Sequence, residues 1–417
     1  MKKRILLILS ITFMFLLFVT SCSAAPGSGK DSYAPGDSYE GGSSEGRDDA
    51  SNGYGQGGDY TVMSGQLTAC AYDDNKHFSF WQGLQYSSEQ ATTQNAGQFY
   101  NYFKLYSFNT TNRVKIKVPA GLDALVHLID AKQNIVYTSV PDANGVAYLF
   151  SETDSDVYNI MLEYTKPGES EVTKQYEVVT SDTEFTFEAT SYKREFIQLM
   201  FVIDTTGSMG DEIKYLKSEM VDIISKVQAE YRNAEIELAV MVYRDRGDAY
   251  VTKYSDFTTD IDAQKEFLAK QNANGGGDFP EAVHTALEKA ANSQWAKDAK
   301  TKILIHVADA PAHDADVNSW NSSARTLASK GVRIITVASS GIDKKTEYFF
   351  RCQSIMTNGT YVYLTDDSGI GNSHLEATVE EKPVVEYLNN SLVRLIKGYH
   401  TGIFEDPIHY GQVNNQQ

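Results

Sequence analysis

Phe201-Val202-Ile203-Asp204-Thr205-Thr206-Gly207-Ser208-Met209 decides how this chain is read. An apolar run ending on a carboxylate and then hydroxyls reads as a buried strand that delivers oxygen donors to a loop. Asp204, Thr206 and Ser208 alternate along that loop, so their side chains can converge just past the strand. One carboxylate beside neutral hydroxyls suits a hard divalent cation, Mg²⁺ or Mn²⁺, which prefers octahedral oxygen ligation and keeps some water. A helix N-cap would account for Ser208 but leaves Asp204 unexplained.

Working outward, strands alternate with helices from residue 196 onward. Strands are expected at 197–204, 236–243, 250–254, 302–308, 332–338 and 360–364, the third returning antiparallel. Helices are expected at 212–231, 280–295, 319–330, 345–356 and 384–396, the second with Pro280 in its first turn. This alternation predicts a doubly wound, mostly parallel sheet. In strand order 3-2-1-4-5-6, Asp204 and Asp309 end the two strands that flank the switch point, where such sheets bind ligands. The third wall is Asn274-Gly275-Gly276-Gly277-Asp278-Phe279-Pro280-Glu281, whose glycines allow close backbone approach and whose Asp278 is the candidate ligand.

Asp204-x-Thr206-x-Ser208, with Asp309 at a later strand end, resembles the metal-ion-dependent adhesion site of von Willebrand factor A domains, over residues 196–398. The resemblance implies a Rossmann-like α/β fold, Mg²⁺ or Mn²⁺ held by Asp204, Thr206, Ser208, Asp278 and Asp309, and a protein partner that supplies an acidic residue. That family usually places a threonine in the third loop. None stands here, so Asp278 carries over only as a position, and its extra negative charge weakens the appetite for an anionic partner. Arg244-Asp245-Arg246-Gly247-Asp248 follows the second strand and should flank the site; it contains an Arg-Gly-Asp tripeptide. His313 follows Asp309 closely enough for a supporting role or a solvated loop.

The chain opens Met1-Lys2-Lys3-Arg4 and continues with an apolar run to Val19, the pattern of an export signal. Val19-Thr20-Ser21-Cys22 resembles a bacterial lipobox, which implies cleavage before Cys22 and lipidation of its thiol. An ordinary secretory signal cut near Ala24-Ala25 is the other reading. Residues 23–60 are Gly, Ser, Asp and Tyr with almost no aliphatic side chain, a flexible tether. The formal charge of −18 excludes nucleic acid or anionic lipid as partners sought by charge. Cys70 and Cys352 are either bridged or two buried thiols.

Residues 61–108 are dense in aromatics, including Phe78, Phe80, Trp81, Phe99, Tyr100, Tyr102, Phe103 and Tyr106. They read as core packing, with a helix over 98–106, or as a sugar-binding face. Period-two runs at 114–118, 125–129, 146–150, 158–162 and 185–187 predict a β-sandwich, with turns at 132–134 and 142–145. Residues 124–150 resemble Ig-like modules of carboxypeptidase-regulatory and surface-adhesin type.

The expected organisation is thus a signal peptide (1–21), lipidated Cys22 and linker (22–60), an aromatic-rich region with the Ig-like β-sandwich (61–190), the α/β domain (191–400) and a tail (401–417). The expected function is a non-enzymatic, lipid-anchored adhesion or scaffold protein on the extracytoplasmic face of the cell membrane. The alternatives are carbohydrate binding, a cell-wall glycan included, through the N-terminal β-module, and a Mg²⁺-dependent phosphotransferase-like enzyme. The latter lacks the paired acidic motif at Ala308-Asp309-Ala310-Pro311.

Overall fold

The computed structural model describes residues 62–87, 97–106, 108–153, 157–189 and 193–413. The signal segment, Cys22 and the linker lie outside them.

Strand β1 (Thr68–Tyr72) is followed by helices α1 (Phe78–Gln85) and α2 (Tyr100–Tyr106). Seven strands then build the sandwich: β2 (Arg113–Lys117), β3 (Leu125–Ile129), β4 (Ile135–Ser139), β5 (Val146–Phe150), β6 (Tyr158–Thr165), β7 (Val172–Val179) and β8 (Thr183–Glu184). They form two sheets, ordered β5-β2-β8 and β4-β3-β6-β7. The strand expected at 185–187 stops earlier, and the 142–145 turn closes on Gly145, at φ +80°, where a Cβ would stand 1.9 Å from the Val118 carbonyl oxygen.

The α/β part runs β9 (Arg194–Asp204), α3 (Ile213–Glu230), β10 (Glu235–Tyr243), β11 (Thr252–Thr258), α4 (Ile261–Ala269), α5 (Val283–Ala291), β12 (Ala299–Ala308), α6 (Val317–Ser329), β13 (Arg333–Ala338), α7 (Lys344–Met356), β14 (Tyr361–Leu364), β15 (Glu386–Tyr387) and α8 (Leu388–Thr401). Its sheet is ordered β11-β10-β9-β12-β13-β14-β1-β15. The first six positions are the expected doubly wound order, with β11 antiparallel at one edge. Residues 196–204 of β9 are buried throughout, as a strand covered by helices on both faces must be. Helix α3 buries Ile213, Leu216, Met220, Ile223, Ile224 and Val227, the spacing of one apolar stripe.

Several elements depart from expectation. Residues 68–72, grouped from sequence with the aromatic region and the sandwich, extend the α/β sheet instead, antiparallel to β14 with Ala69 opposite Leu364. Nothing in five residues specifies a pairing partner almost three hundred positions away. Helix α4 was not expected; Asp260 caps it by accepting from the Ala263 N–H. The helix expected from Pro280 begins only at Val283; Glu281 before it forms a parallel bridge with Ala312, its N–H bonded to the Pro311 carbonyl at 3.0 Å. The last helix starts at Leu388, later than expected.

The aromatic segment shares its core with the α/β part. Trp81, Phe99 and Phe108 are fully buried against Tyr348 and Phe349 of α7, with Phe108 and Phe349 centroids 5.0 Å apart. This is the packing reading, not a sugar platform, for those three rings. Cys70 and Cys352 are separate buried thiols.

Two buried polar clusters fasten the segment around β1. Glu219 of α3 accepts from the N–H groups of Gly65, Gln66 and Leu67 at 2.9, 2.9 and 3.2 Å. Arg351 of α7, with no exposure, donates to both Asp74 oxygens and to Glu347 at 3.1 Å. Breaking such a group leaves uncompensated buried charge. Arg351→Met should therefore lower unfolding free energy by about 3–5 kcal/mol, read from urea midpoints, and should loosen hydrogen-exchange protection of residues 68–74 first.

Candidate metal centre

The parallel register of β9 with β12 sets Ile203 opposite Val307, so Asp204 and Asp309 leave the sheet side by side. Both are buried, at 0% and 4% exposure. The loop after β9 folds back on itself, since Asp204 Oδ1 accepts from the Thr206 N–H (2.8 Å) and the Thr206 hydroxyl (2.7 Å). Thr206 Oγ1 is 3.3 Å from Ser208 Oγ, and the exposed Ser208 hydroxyl faces Asp309. Four of the five expected ligands, Asp204, Thr206, Ser208 and Asp309, are thus brought together.

The glycine loop docks directly on this turn. Gly207 N–H donates to Gly275 O at 3.0 Å, and Asn274 N–H to Thr205 O at 3.0 Å. Gly275 and Gly276 have φ of +79° and +77°, which side chains other than glycine's adopt at a cost. A Cβ on Gly275 would lie 2.3 Å from the Asp248 carboxylate, and one on Gly276 would meet Glu281 Oε1 at 3.1 Å and Thr206 Cβ at 3.4 Å.

Asp278, the fifth expected ligand, is exposed on the rim of a cavity of about 230 Å³ that Ser208 and Asp309 also line. It groups with Asp245 and His313, one donor atom from each lying within 4.8 Å of the others. The buried acid of this loop is instead Glu281, 3% exposed, which lines the same cavity. Sequence reasoning missed it because residues 280–281 were assigned to a helix. The signal was present in Gly276, which keeps clear the space that the Glu281 carboxylate fills.

Charge crowding is the electrostatic signature here. Burial, then the neighbouring Asp309 charge, pushes Asp204 well above the usual carboxylate range. Burial also raises Asp309, against the Ser208 hydrogen bond and with the help of the Glu212 charge. Burial, then the charges of Asp204, Asp245 and Asp309, pushes Glu281 up to about 9. One oxygen on each of the three, Asp204 Oδ2, Asp309 Oδ1 and Glu281 Oε2, is buried with no hydrogen-bond partner.

Beneath the site, His306 connects two hydrogen-bonding groups. Its Nε2 is 3.0 Å from the Tyr243 hydroxyl, which lies beside Asp204, and its Nδ1 is 3.3 Å from Gln353 Nε2. Burial pushes the His306 imidazole down to about 4, so it is neutral at pH 7. With Gln353 donating to Nδ1, Nε2–H donates to the tyrosine oxygen.

The flanking charges have local partners. Arg244 donates to the Thr205 and Asn272 carbonyls at 3.0 and 2.8 Å, tying the two site loops together. Arg246 pairs with Asp316 at 2.9 Å, and Asp248 accepts from the N–H groups of Gly276 and Asp245 at 2.9 and 3.1 Å. The Arg-Gly-Asp tripeptide is therefore engaged internally. His313 Nε2 sits 2.8 Å from Asp245 Oδ1, the supporting alternative.

A family comparison agrees with this architecture. Residues 198–371 match the family described as von Willebrand factor A domain. The chain is 23% identical over 262 residues to the alpha-protein kinase vwkA of Dictyostelium discoideum, covering 62% of this chain and 41% of that protein. It is 29% identical over 167 residues to the putative ariadne-like RING finger protein R811 of Acanthamoeba polyphaga mimivirus, covering 40% of this chain and 15% of that one. The chain therefore spans less than half the length of either relative. Among solved structures, BatB from Bacteroides thetaiotaomicron aligns with TM-score 0.31 and 14% identity over 40% of this chain and 89% of its own. An aerotolerance-related membrane protein from Bacteroides fragilis, a variant with multiple mutations to serines, aligns with TM-score 0.31 and 16% identity over 50% of this chain and 100% of its own. Register, strand order and family match converge on one assignment: residues 198–371 form a von Willebrand factor A domain.

Proposed function

We propose that this chain is a binding protein, not an enzyme, whose von Willebrand factor A domain recognises a partner protein through a divalent cation held beyond β9 and β12. The observation that carries the reading is the set of three buried carboxylate oxygens without hydrogen-bond partners on Asp204, Asp309 and Glu281. Buried polar groups are ordinarily satisfied, and an unmatched cluster of carboxyl oxygens is what a hard cation, displacing their protons, would satisfy. Asp204, Thr206, Ser208 and Asp309 would hold Mg²⁺ or Mn²⁺, with Glu281 in the place first given to Asp278. The cation supplies a positive point that a partner's Asp or Glu can ligate.

Glu281 changes the expected selectivity. Asp204 and Asp309 together already balance a divalent charge, so a third carboxylate competes with any acid a partner offers. The lipobox-like segment around Cys22 supports an anchored, extracytoplasmic setting for this binding face. Among the described residues no helix is long and apolar enough to cross a membrane.

Mg²⁺ or Mn²⁺ at about 100 times its dissociation constant should stabilise the protein by about 2.7 kcal/mol, read as a rise in Tm. Asp204→Ala should abolish the rise, whereas Asp278→Ala should leave most of it. A metal-independent Tm in the parent protein would defeat the cation reading.

In chelator, the folded state keeps a proton on Glu281 that the unfolded chain releases near its ordinary value. This contribution to stability is fully present below about pH 4 and is lost as pH rises toward about 9. Glu281→Gln should flatten that decline, which for one group is at most about 1.4 kcal/mol per pH unit; urea midpoints across the range measure it.

A further inference from the structure

Where the β-sandwich meets the α/β sheet lies a cavity of about 510 Å³, within the size range of small-molecule sites. Lys302 stands early in β12 and lines it, seven residues before Asp309, so roughly 23 Å of strand separates the cavity from the carboxylate cluster. Val140, Tyr164 and Trp295 supply apolar wall, and Lys297 and Lys330 join Lys302 as cations.

Among the described residues, none of the three lysines makes an ion pair. Lys302, 5% exposed, donates to the Ala296 carbonyl at 3.0 Å, and Lys330 to the Ala291 carbonyl at 2.5 Å. Behind the wall Lys193 donates to the Pro141 carbonyl at 3.2 Å. Two acids also line the cavity. Glu163 is held by Lys174 at 2.8 Å and faces His127 at 3.7 Å, whereas Asp123 is exposed.

Composition does not force this arrangement, because Asp and Glu outnumber Lys and Arg by 55 to 37. Asp123 and Asp298 act on the Lys302 charge from a distance but neither pairs with it, and a buried ammonium whose hydrogen bond goes to a carbonyl is held at a cost that a direct counter-charge would remove. Consistently, burial and then the nearby Arg333 charge push Lys302 down to about 8 and Lys193 down to about 7.

We propose that this cavity binds a small organic anion, its charged head at Lys302 between Lys297 and Lys330 and its apolar body against Val140, Tyr164 and Trp295. The site is separate from the cation centre and does not depend on it. Isothermal titration of the protein with octanoate, and separately with inorganic phosphate, tests the assignment in chelator. Octanoate should bind, and Lys302→Met should weaken it by about tenfold or more. This variant keeps the length of the buried stem and removes an unpaired charge, so its ligand-free Tm should match or exceed that of the parent. Absence of octanoate binding at about 10 mM, or equal binding by the parent and a folded Lys302→Met, overturns the proposal. Phosphate binding as tightly as octanoate overturns the assignment to an organic anion.

Discussion

Everything at the top of this sheet depends on two carboxylates being forced together. The parallel register of β9 with β12 fixes Asp204 beside Asp309, and neither side chain can retreat into solvent. Coulomb repulsion between such groups is strong at low effective dielectric. The surrounding backbone is arranged to tolerate it: Thr206 donates twice to Asp204, Ser208 faces Asp309, and the neutral His306–Tyr243 pair lies beneath.

The glycine loop answers to the same constraint. Gly275 and Gly276 bring the backbone against the Thr205–Gly207 turn and leave room for the Asp248 and Glu281 carboxylates. Arg244 then spans both loops by donating to their carbonyls. Its hydrogen bonds go to backbone, and among the described residues Asp204, Asp309 and Glu281 have no ion-pair partner. The cation binding proposed above would draw on this arrangement, since donors already placed need less reordering on binding.

The N-terminal elements belong to the same mechanical unit. β1 extends the sheet beyond β14, while Trp81, Phe99 and Phe108 cover α7, whose residues from Thr346 to Met356 are all buried. A helix so fully covered has two partners, the sheet on one side and the aromatic segment with the sandwich on the other. The cavity at Lys302 lies elsewhere, where the sandwich meets the α5–β12 connection and the end of α6, at the opposite end of β12 from the carboxylates.

By itself the sequence determined the alternation of strands and helices and the donor loop Asp204-Thr206-Ser208, because period, capping and strand-end chemistry are local properties. The strand order that sets Asp204 beside Asp309 enters at that level only as an assumed template and is fixed by the long-range pairings of the sheet. The sequence also located Asp309, since an apolar strand ending on a carboxylate is visible without coordinates. Only the tertiary structure decided which acid of the third loop enters the site. Asp278 and Glu281 are three residues apart, and only the fold shows that Glu281, bridged to the loop after β12, is buried while Asp278 stays exposed. The placement of β1 is of the same kind: five residues can form a strand anywhere, and only the free edge of β14 and the Glu219 and Arg351 anchors say where.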